Sequence, residues 1–267
     1  MGRLIKQPSP QRRIPNAKGS RSLALSADHK AAIDGRTLFS KSVVSADQSP
    51  RVLIDGHNQR KIGKRIVKGP WKGARVFTLT LEERATCPRS CRMWLSCYGN
   101  NMHWSRRHKL DKALFARLES EVAALVAKHG RIAVRLHILG DFGSRDNLEI
   151  AFDYVALWRW LLHRHAGLHV FGFTAHSEKS LIGISVMSLN VSYPARCRIR
   201  FSGTDNRGTG ALVIARLADA KHVVCPAQLE KTDCCATCGL CWLVERPIEF
   251  LRHGSPVLHT GQGRIEL

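Results

Sequence analysis

The stretch RIAVRLHILGDFGS, from Arg131 to Ser144, decides the fold of this chain of 267 residues. Its centre is a short and nearly continuous apolar run, which is typical of a strand buried on both sides in a parallel sheet. The run ends in a Gly-Asp turn, formed by Gly140 and Asp141. The stretch therefore predicts an α/β protein with polar groups at the carboxyl end of a buried strand.

Helical and extended patterns alternate on both sides of this stretch. Apolar residues recur every fourth position from Leu110 to Val126 and predict a helix that ends at Gly130. Two more helices are predicted from about Asp146, in a capping-box arrangement with Glu149, and over 177–189. Other predicted strands are ARVFTLTL (74–81), LHVFGFTA (168–175) and RCRIRFSG (196–203). Four such units indicate a partial or complete βα-barrel.

Positive charge is concentrated near the start of the chain. Lys and Arg number 42 against 21 Asp and Glu, a net charge of +21, and residues 1–75 contain 17 of the basic but only 4 of the acidic residues. The predicted organisation is a flexible basic arm over 1–50, a basic β-ribbon over 51–75, an α/β core over 76–218 and a cysteine-rich metal-binding segment over 219–267.

A charge balance this basic favours nucleic acid or a nucleotide as partner, because phosphate contacts release counterions. The ribbon offers phosphate contacts beside an aromatic stacking surface at Trp71. The alternative is a solvated edge strand that its lysines protect from aggregation. The candidate nucleic-acid contacts are Arg60, Lys61, Lys64, Arg65, Lys68 and Lys72.

The nine cysteines are expected to be reduced. No apolar run approaches the 18 residues of a membrane span, and the start MGRLIKQPSPQRR lacks the apolar segment of a secretory signal. We therefore predict a cytoplasmic protein in which disulfides do not form. An odd cysteine count also leaves one thiol without a disulfide partner, so metal binding is the better interpretation.

The segment VCPAQLEKTDCCATCGLCW, from Val224 to Trp242, contains five of the nine cysteines. A C-x2-C-x2-C run with a more distant Cys-Pro favours a [4Fe-4S] cluster, and zinc is the alternative. The predicted ligands are Cys225, Cys235, Cys238 and Cys241. The sequence leaves open whether Cys234 or Cys197 is also a ligand.

A second group, Cys87, Cys91 and Cys97, has the spacing C-x3-C-x5-C. Three thiolates on a cubane cluster would leave one iron open to another ligand. The alternative is a structural zinc site completed by His103 or His108.

The order of strand, three-cysteine loop, helix, strand and Gly-Asp turn resembles the radical S-adenosylmethionine superfamily. The resemblance implies that the three cysteines hold a catalytic cluster whose open iron binds S-adenosylmethionine, and that Gly140 and Asp141 hold the ammonium group of this cosubstrate. The superfamily's usual spacing is C-x3-C-x2-C, so this chain has three additional residues before Cys97. Because barrel enzymes place functional groups at the carboxyl ends of strands, further candidates are His137, Thr174, His176 and Ser202.

A closer resemblance covers 76–251. The ordered motifs TCPxxC, CYGN, RxHxxGDF, FGFTA, CP and CxxCGLCW are similar to those of an uncharacterised phage and prophage family, described as gene product eighty-eight-like. This resemblance implies a phage-related setting and supports the placement of the cysteines, but it implies no particular activity.

Three functions are compatible with these features. The first is a radical S-adenosylmethionine-type enzyme with one or two [4Fe-4S] clusters that acts on nucleic acid or a nucleotide. The second is a zinc-stapled, basic DNA- or RNA-binding protein, and the third is an iron–sulfur nucleic-acid enzyme without radical chemistry. The motif order favours the first, because a structural staple does not need it. Substrate, oligomeric state and protein partners stay open.

Overall fold

The computed structural model describes residues 23–59, 61–204 and 209–252, together with the backbone of 257–260 and 263–266. The strands are β1 (Val43–Val44), β2 (Ile54–Asp55), β3 (Arg75–Thr78), β4 (Arg107–His108), β5 (Ile132–Leu136), β6 (Leu168–Thr174), β7 (Cys197–Ser202), β8 (Gly210–Ile214), β9 (Val223–Val224), β10 (Ile248–Leu251), β11 (Val257–Thr260) and β12 (Gly263–Glu266). The helices are α1 (Lys30–Ile33), α2 (Lys112–His129), α3 (Leu148–Arg164), α4 (Leu181–Ser192), α5 (Cys235–Cys238) and α6 (Leu240–Leu243).

One sheet of eight strands forms the centre, in the order β2-β3-β5-β6-β7-β8-β10-β9. Every neighbouring pair is parallel except β2 and β3. Helices α2, α3 and α4 lie in the connections between β3 and β7, as parallel pairing requires. The predicted mixed α/β class is confirmed. The described strands form an open sheet with β2 and β9 as its edges, so closure into a barrel is not seen among them.

The two faces of the sheet are covered by different parts of the chain. Adjacent strand residues point to opposite faces, so Val134 joins one core cluster and Ala133 the other. Helices α2, α3 and α4 cover the first face, through residues such as Leu118, Trp158 and Val186. Irregular chain from 62–74 and the cysteine segment 234–243 cover the second face.

The helices begin at side-chain caps close to their predicted starts. Asp111 accepts the Leu114 N–H at 2.9 Å, and α2 ends before Gly130, which has φ +71°. The cap of α3 is Asn147, which accepts the Ile150 N–H at 3.1 Å, and not the predicted Asp146. Within the described ranges, no helix is both long enough and apolar enough to cross a membrane.

The structure differs from the predicted arm in residues 23–50. This part of the chain forms short elements, and Leu25 and Ala31 pack against Trp94 and Leu95. The backbone N–H of Leu25 donates to the Leu95 carbonyl at 2.9 Å. In residues 23–50 the predicted arm therefore packs against the chain around Trp94 and Leu95. Residues 1–22 lie outside the described residues.

The predicted β-ribbon over 51–75 is mostly irregular chain. Its regular strand content is β2 and the first residue of β3, and a single bridge pairs Arg65 with Arg75. The glycines interrupt the strand pattern, because Gly63, Gly69 and Gly73 all have positive φ. Arg60 lies outside the described residues.

Candidate metal centre

The three-cysteine loop, residues 84–106, is tied together at its two ends by a buried ion pair. Arg107 is completely buried and donates to both carboxylate oxygens of Glu83, at 2.6 and 3.0 Å. The same guanidinium donates to loop carbonyls at Gly99 (3.1 Å), Met102 (3.0 Å) and Ser105 (2.6 Å). The path of the loop is therefore determined by ionic and carbonyl contacts as well as by its cysteines.

The loop is also fastened to the segment that precedes the sheet. Glu82 accepts a hydrogen bond from Arg36 Nε at 2.7 Å. Arg84 has φ +65° and donates to the carbonyls of Arg36 and Trp94. The run EER at 82–84 was not among the predicted site residues, although three successive charged residues at the end of an apolar strand mark it in the sequence.

The thiols of Cys87, Cys91 and Cys97 are neighbours, and none forms a disulfide. Burial raises the pKa of all three, that of Cys97 to about 11. Neighbouring charge adds to this, because Cys91 and Cys97 both raise the pKa of Cys87. Three such thiols could ionise together only beside a cation, and thiolates are the form that binds metal.

Asp141 lies near this group, since its N–H donates to Thr86 Oγ1 and its charge raises the pKa of both Cys87 and Cys91. Its carboxylate accepts three hydrogen bonds: from Thr174 Oγ1 at 2.7 Å, from the Ala175 N–H at 2.7 Å and from the Phe142 N–H at 2.8 Å. Burial raises the pKa of Asp141, and these donors oppose the increase. In this structure the carboxylate joins the Gly-Asp turn to the end of β6.

Gly140 brings the same turn against the base of the three-cysteine loop. It has φ +83°, and a Cβ at this position would lie 2.6 Å from Thr86 Oγ1. That hydroxyl accepts the Asp141 N–H at 3.0 Å. His176 Nε2 lies 2.9 Å from the Gly143 carbonyl oxygen. The predicted residues Gly140, Asp141, Thr174 and His176 are therefore neighbours.

Two other strand-end candidates lie apart from this cluster. His137 packs in the helix-covered core, with Nε2 2.9 Å from the Tyr154 hydroxyl, and burial lowers its pKa to about 3. Ser202 is exposed at the end of β7. The next residue, Gly203, lies beside the loop, because a Cβ there would be 3.4 Å from Arg92 Cζ.

The second cysteine group lines a single cavity and is named here the four-cysteine nest. Helix α5 carries two of its members, and Gly239, at φ +75°, leads into α6 with the third. The nest consists of Cys225, Cys235, Cys238 and Cys241. Pro226, Ala227, Gly239, Leu240, Trp242 and Ile248 complete the lining. No side-chain oxygen is among these groups, and such a soft ligand set suits zinc or an iron–sulfur cluster.

The nest thiols also affect one another. Burial raises the pKa of Cys235, Cys238 and Cys241, the last to about 12. The charge of Cys225 raises the pKa of each of these three, so all four are close neighbours. Lys68 acts in the opposite direction on Cys238.

A completely buried arginine on β7 positions the nest segment. Arg200 donates to the carbonyls of Cys241 (2.9 Å), Gly210 (3.1 Å), Arg246 (3.0 Å), Val244 (2.7 Å) and Leu240 (3.5 Å). Four of these five carbonyls belong to residues 240–246. The guanidinium therefore satisfies backbone groups of a segment that has little regular structure of its own.

Arg135 on β5 acts on the four-cysteine nest and on Tyr98 of the three-cysteine loop. Its guanidinium carbon is 4.6 Å from the Phe173 ring centroid, and its charge opposes the burial that raises the pKa of Cys235 and Cys241. Tyr98 of the three-cysteine loop exposes 38% of its surface, yet burial at its hydroxyl raises its pKa, and Arg135 opposes that shift too. Neither Arg135 nor Arg200 was among the predicted site residues, although each alternates with apolar residues in a predicted strand.

The remaining cysteines are core residues. Cys197 is completely buried in the helix-covered core. Cys234 is buried, with Sγ 3.6 Å from Thr237 Oγ1, and neither thiol lines the nest cavity.

The two histidines of the zinc alternative lie in different settings. His103 is exposed against Phe39 and Trp104. His108 is buried on β4.

Neither group forms a closed coordination sphere for one ion. Across the described parts of the chain, no three side chains of His, Cys, Asp or Glu are placed so that they could hold a single metal ion. A cubane takes one thiolate on each of its irons, so its ligands do not converge on one atom. Donor chemistry and neighbourhood fit a thiolate-bound cofactor at both groups.

The described nucleic-acid candidates Lys61, Lys64, Arg65, Lys68 and Lys72 are all exposed. Trp71 is not: only 3% of its surface is accessible, and it stacks on Trp242 with 5.4 Å between ring centroids. The prediction of an aromatic stacking surface at Trp71 is therefore wrong.

Comparison with protein-family models, curated proteins and solved structures finds no match for this chain. Its function must therefore be argued from the arrangement of its own residues.

Proposed function

We propose that this chain is an iron–sulfur protein of the radical S-adenosylmethionine type. One observation carries the proposal: three adjacent parallel strands, β3, β5 and β6, end close together in a three-cysteine loop, a Gly-Asp turn and a Thr-Ala-His segment. Functional groups of βα-barrel enzymes gather at this end of the strands. We interpret the open sheet, with its strands nearly in chain order and its three long helices α2, α3 and α4 on one face, as a partial barrel.

Cys87, Cys91 and Cys97 would hold the catalytic cluster, and the four-cysteine nest would hold a second one. When bound, the first cluster would supply the electron for reductive cleavage of S-adenosylmethionine. Asp141 would hold the turn at the position of the cosubstrate ammonium, while the buried Arg107–Glu83 pair would keep water away from the base of the loop. None of the nine cysteines forms a disulfide, so all of them are free for a thiolate-bound cofactor.

We further propose nucleic acid or a nucleotide as the substrate, in a phage-related setting. The net charge of +21 and the exposed lysines of 61–72 support a phosphate-bearing partner.

Metal content and cosubstrate cleavage test the proposal. Protein purified without oxygen should be brown and contain about eight iron atoms per chain, four for each cluster. Reduction in the presence of S-adenosylmethionine should release 5′-deoxyadenosine, and Cys97→Ala should abolish this release while the nest keeps its metal.

Two results would replace the proposal. A colourless protein with about two zinc ions, one for each cysteine group, would identify a zinc-stapled nucleic-acid-binding protein. An intact cluster without 5′-deoxyadenosine would identify an iron–sulfur nucleic-acid enzyme without radical chemistry. Loss of both metals in Cys97→Ala would mean that the two cysteine groups form one site.

A further inference from the structure

The basic segment, residues 61–72, is bound to the cysteine segment through its backbone. The Cys235 N–H donates to the Lys61 carbonyl at 2.7 Å, and the Ala236 N–H donates to the Ile62 carbonyl at 2.9 Å. In return, the Val67 N–H donates to the Ala236 carbonyl at 3.2 Å. Helix α5, which carries two nest cysteines, is therefore a second pairing partner of this segment, in addition to the single bridge between Arg65 and Arg75.

Close packing reinforces these hydrogen bonds at two glycines. A Cβ on Gly63 would lie 2.5 Å from Cys234 Sγ, and a Cβ on Gly69 would lie 2.6 Å from Leu243 Cδ2. These approaches are possible only because the basic segment has no side chain at either point. Trp71 of the basic segment also stacks on Trp242 of the cysteine segment, with an interplanar angle of 1°.

This attachment separates the charged from the apolar side chains of the segment. Ile62, Ile66 and Trp71 are buried beneath it. Lys61, Lys64, Arg65, Lys68 and Lys72 are exposed, and the sequence from 56 to 74 contains no acidic residue. Lys68 reaches the nest itself, because its Cε lies 3.7 Å from the position of a Cβ on Gly239.

We propose that the four-cysteine nest is the structural base of a nucleic-acid-binding surface, so that binding by the basic segment depends on metal in the nest. This rests on the proposed occupancy of the nest by a thiolate-bound metal. Metal binding to thiolates contributes folding free energy to the chain around it. Without metal, the 235–243 backbone loses its fixed position, and the lysines lose their common orientation toward phosphates.

The experiment measures binding of a fluorescein-labelled single-stranded DNA and a matching RNA by anisotropy, with full-length protein purified without oxygen. Cys241→Ser removes a nest ligand, and Cys197→Ser is the matched control, because Cys197 is a buried free cysteine of the helix-covered core and belongs to neither cysteine group. Cys241→Ser should weaken binding about tenfold or more, whereas Cys197→Ser should bind within about twofold of the wild type. Replacing Lys64 and Lys68 by Gln should reduce the salt slope by about 1.4.

Limited trypsin digestion gives a second readout that does not require nucleic acid. Cleavage after Lys61, Lys64 or Lys68 should be faster in Cys241→Ser than in Cys197→Ser. If circular dichroism shows that Cys241→Ser is unfolded, Gly63→Val replaces it, because this variant keeps all four nest cysteines and obstructs the contact with Cys234. Gly63→Val should retain the nest metal and weaken binding about tenfold.

Metal analysis separates failure of this inference from failure of the proposed function. Unchanged affinity in Cys241→Ser after demonstrated loss of the nest metal would overturn the inference and leave the cluster assignment intact. Wild-type protein that binds neither DNA nor RNA would overturn it as well. A wild-type nest without metal would overturn the assignment on which the inference rests.

Discussion

The two cysteine groups of this protein lie near the same sheet but are held by different interactions. The three-cysteine loop is held by the buried Arg107–Glu83 ion pair and by charged contacts to the segment before the sheet. The four-cysteine nest is held by a tryptophan stack, by close glycine contacts and by hydrogen bonds from Arg200 to its carbonyl groups. The loop is therefore held mainly by buried charges, whereas the nest segment is held by aromatic and glycine packing and by one guanidinium that binds its carbonyl groups.

The largest expected loss of stability comes from a substitution in the buried Arg107–Glu83 ion pair at the base of the three-cysteine loop. Glu83→Gln leaves the completely buried Arg107 without its counterion, so the free energy of unfolding should fall by about 3–5 kcal/mol. Urea unfolding of the matched variants measures this loss. Glu245→Gln is the control, because Glu245 is 80% exposed beside Arg198 and should cost less than about 1 kcal/mol. Equal losses in the two variants would mean that the ion pair does not support the loop.

The next effect is expected in the nest segment. Arg200→Met removes the donors to five carbonyls and should cost about 2–4 kcal/mol, because buried carbonyl groups are left unsatisfied. Arg200→Lys, with fewer donors, should lose less. Hydrogen exchange should accelerate in 235–246 before it changes in 84–106. Uniform acceleration in both regions would contradict the separation of the two supports.

Substitutions at two glycines can separate the cost of the contact between the basic segment and the nest segment from the cost of backbone strain. Gly63 and Gly73 both have φ +89°, but nothing lies within 4 Å of a Cβ on Gly73. Gly73→Ala should therefore cost about 1 kcal/mol from backbone strain alone. Gly63→Ala adds the clash with Cys234 and should cost about 1–3 kcal/mol more by thermal or urea unfolding. The same cost for both would show that this contact is loose.

Acid should lower the stability of the protein through His108, which is buried next to the end of the three-cysteine loop. Burial lowers the pKa of His108 to about 4, and the Nδ1 of His108 has no hydrogen-bond partner. The unfolded chain, with a histidine pKa of about 6.5, then binds more protons, so stability should fall as pH drops from about 6.5 to 4, by up to about 1.4 kcal/mol per pH unit. His108→Gln should reduce this slope in unfolding measurements between pH 4 and 7. An unchanged slope would mean that His108 does not titrate differently on folding.

Local pattern was sufficient for much of the fold. The apolar centres of 132–136 and 168–174 and the fourfold periodicity of 110–126 predicted β5, β6 and α2, because short-range geometry and burial determine these elements. The Gly-Asp turn was placed at a strand end for the same reason. The ribbon prediction failed, because three glycines with positive φ break a pattern that otherwise alternates like a strand.

The sequence by itself indicated that Cys235, Cys238 and Cys241 belong together, since a C-x2-C-x2-C run confines its thiols to one short stretch of chain. The structure adds Cys225 to the same cavity. The expectation that Asp141 serves the same site as Cys87 and Cys91 came from the resemblance in motif order. Only the tertiary structure decided which charges are buried. Arg107 and Arg200 resemble surface residues in the sequence, because their partners are distant acidic or carbonyl groups that come close only when the sheet is assembled. Tertiary packing likewise decided that Trp71 is buried against Trp242 of the nest segment. No local sequence pattern could show this, because the burial of Trp71 depends on a distant part of the chain that covers it.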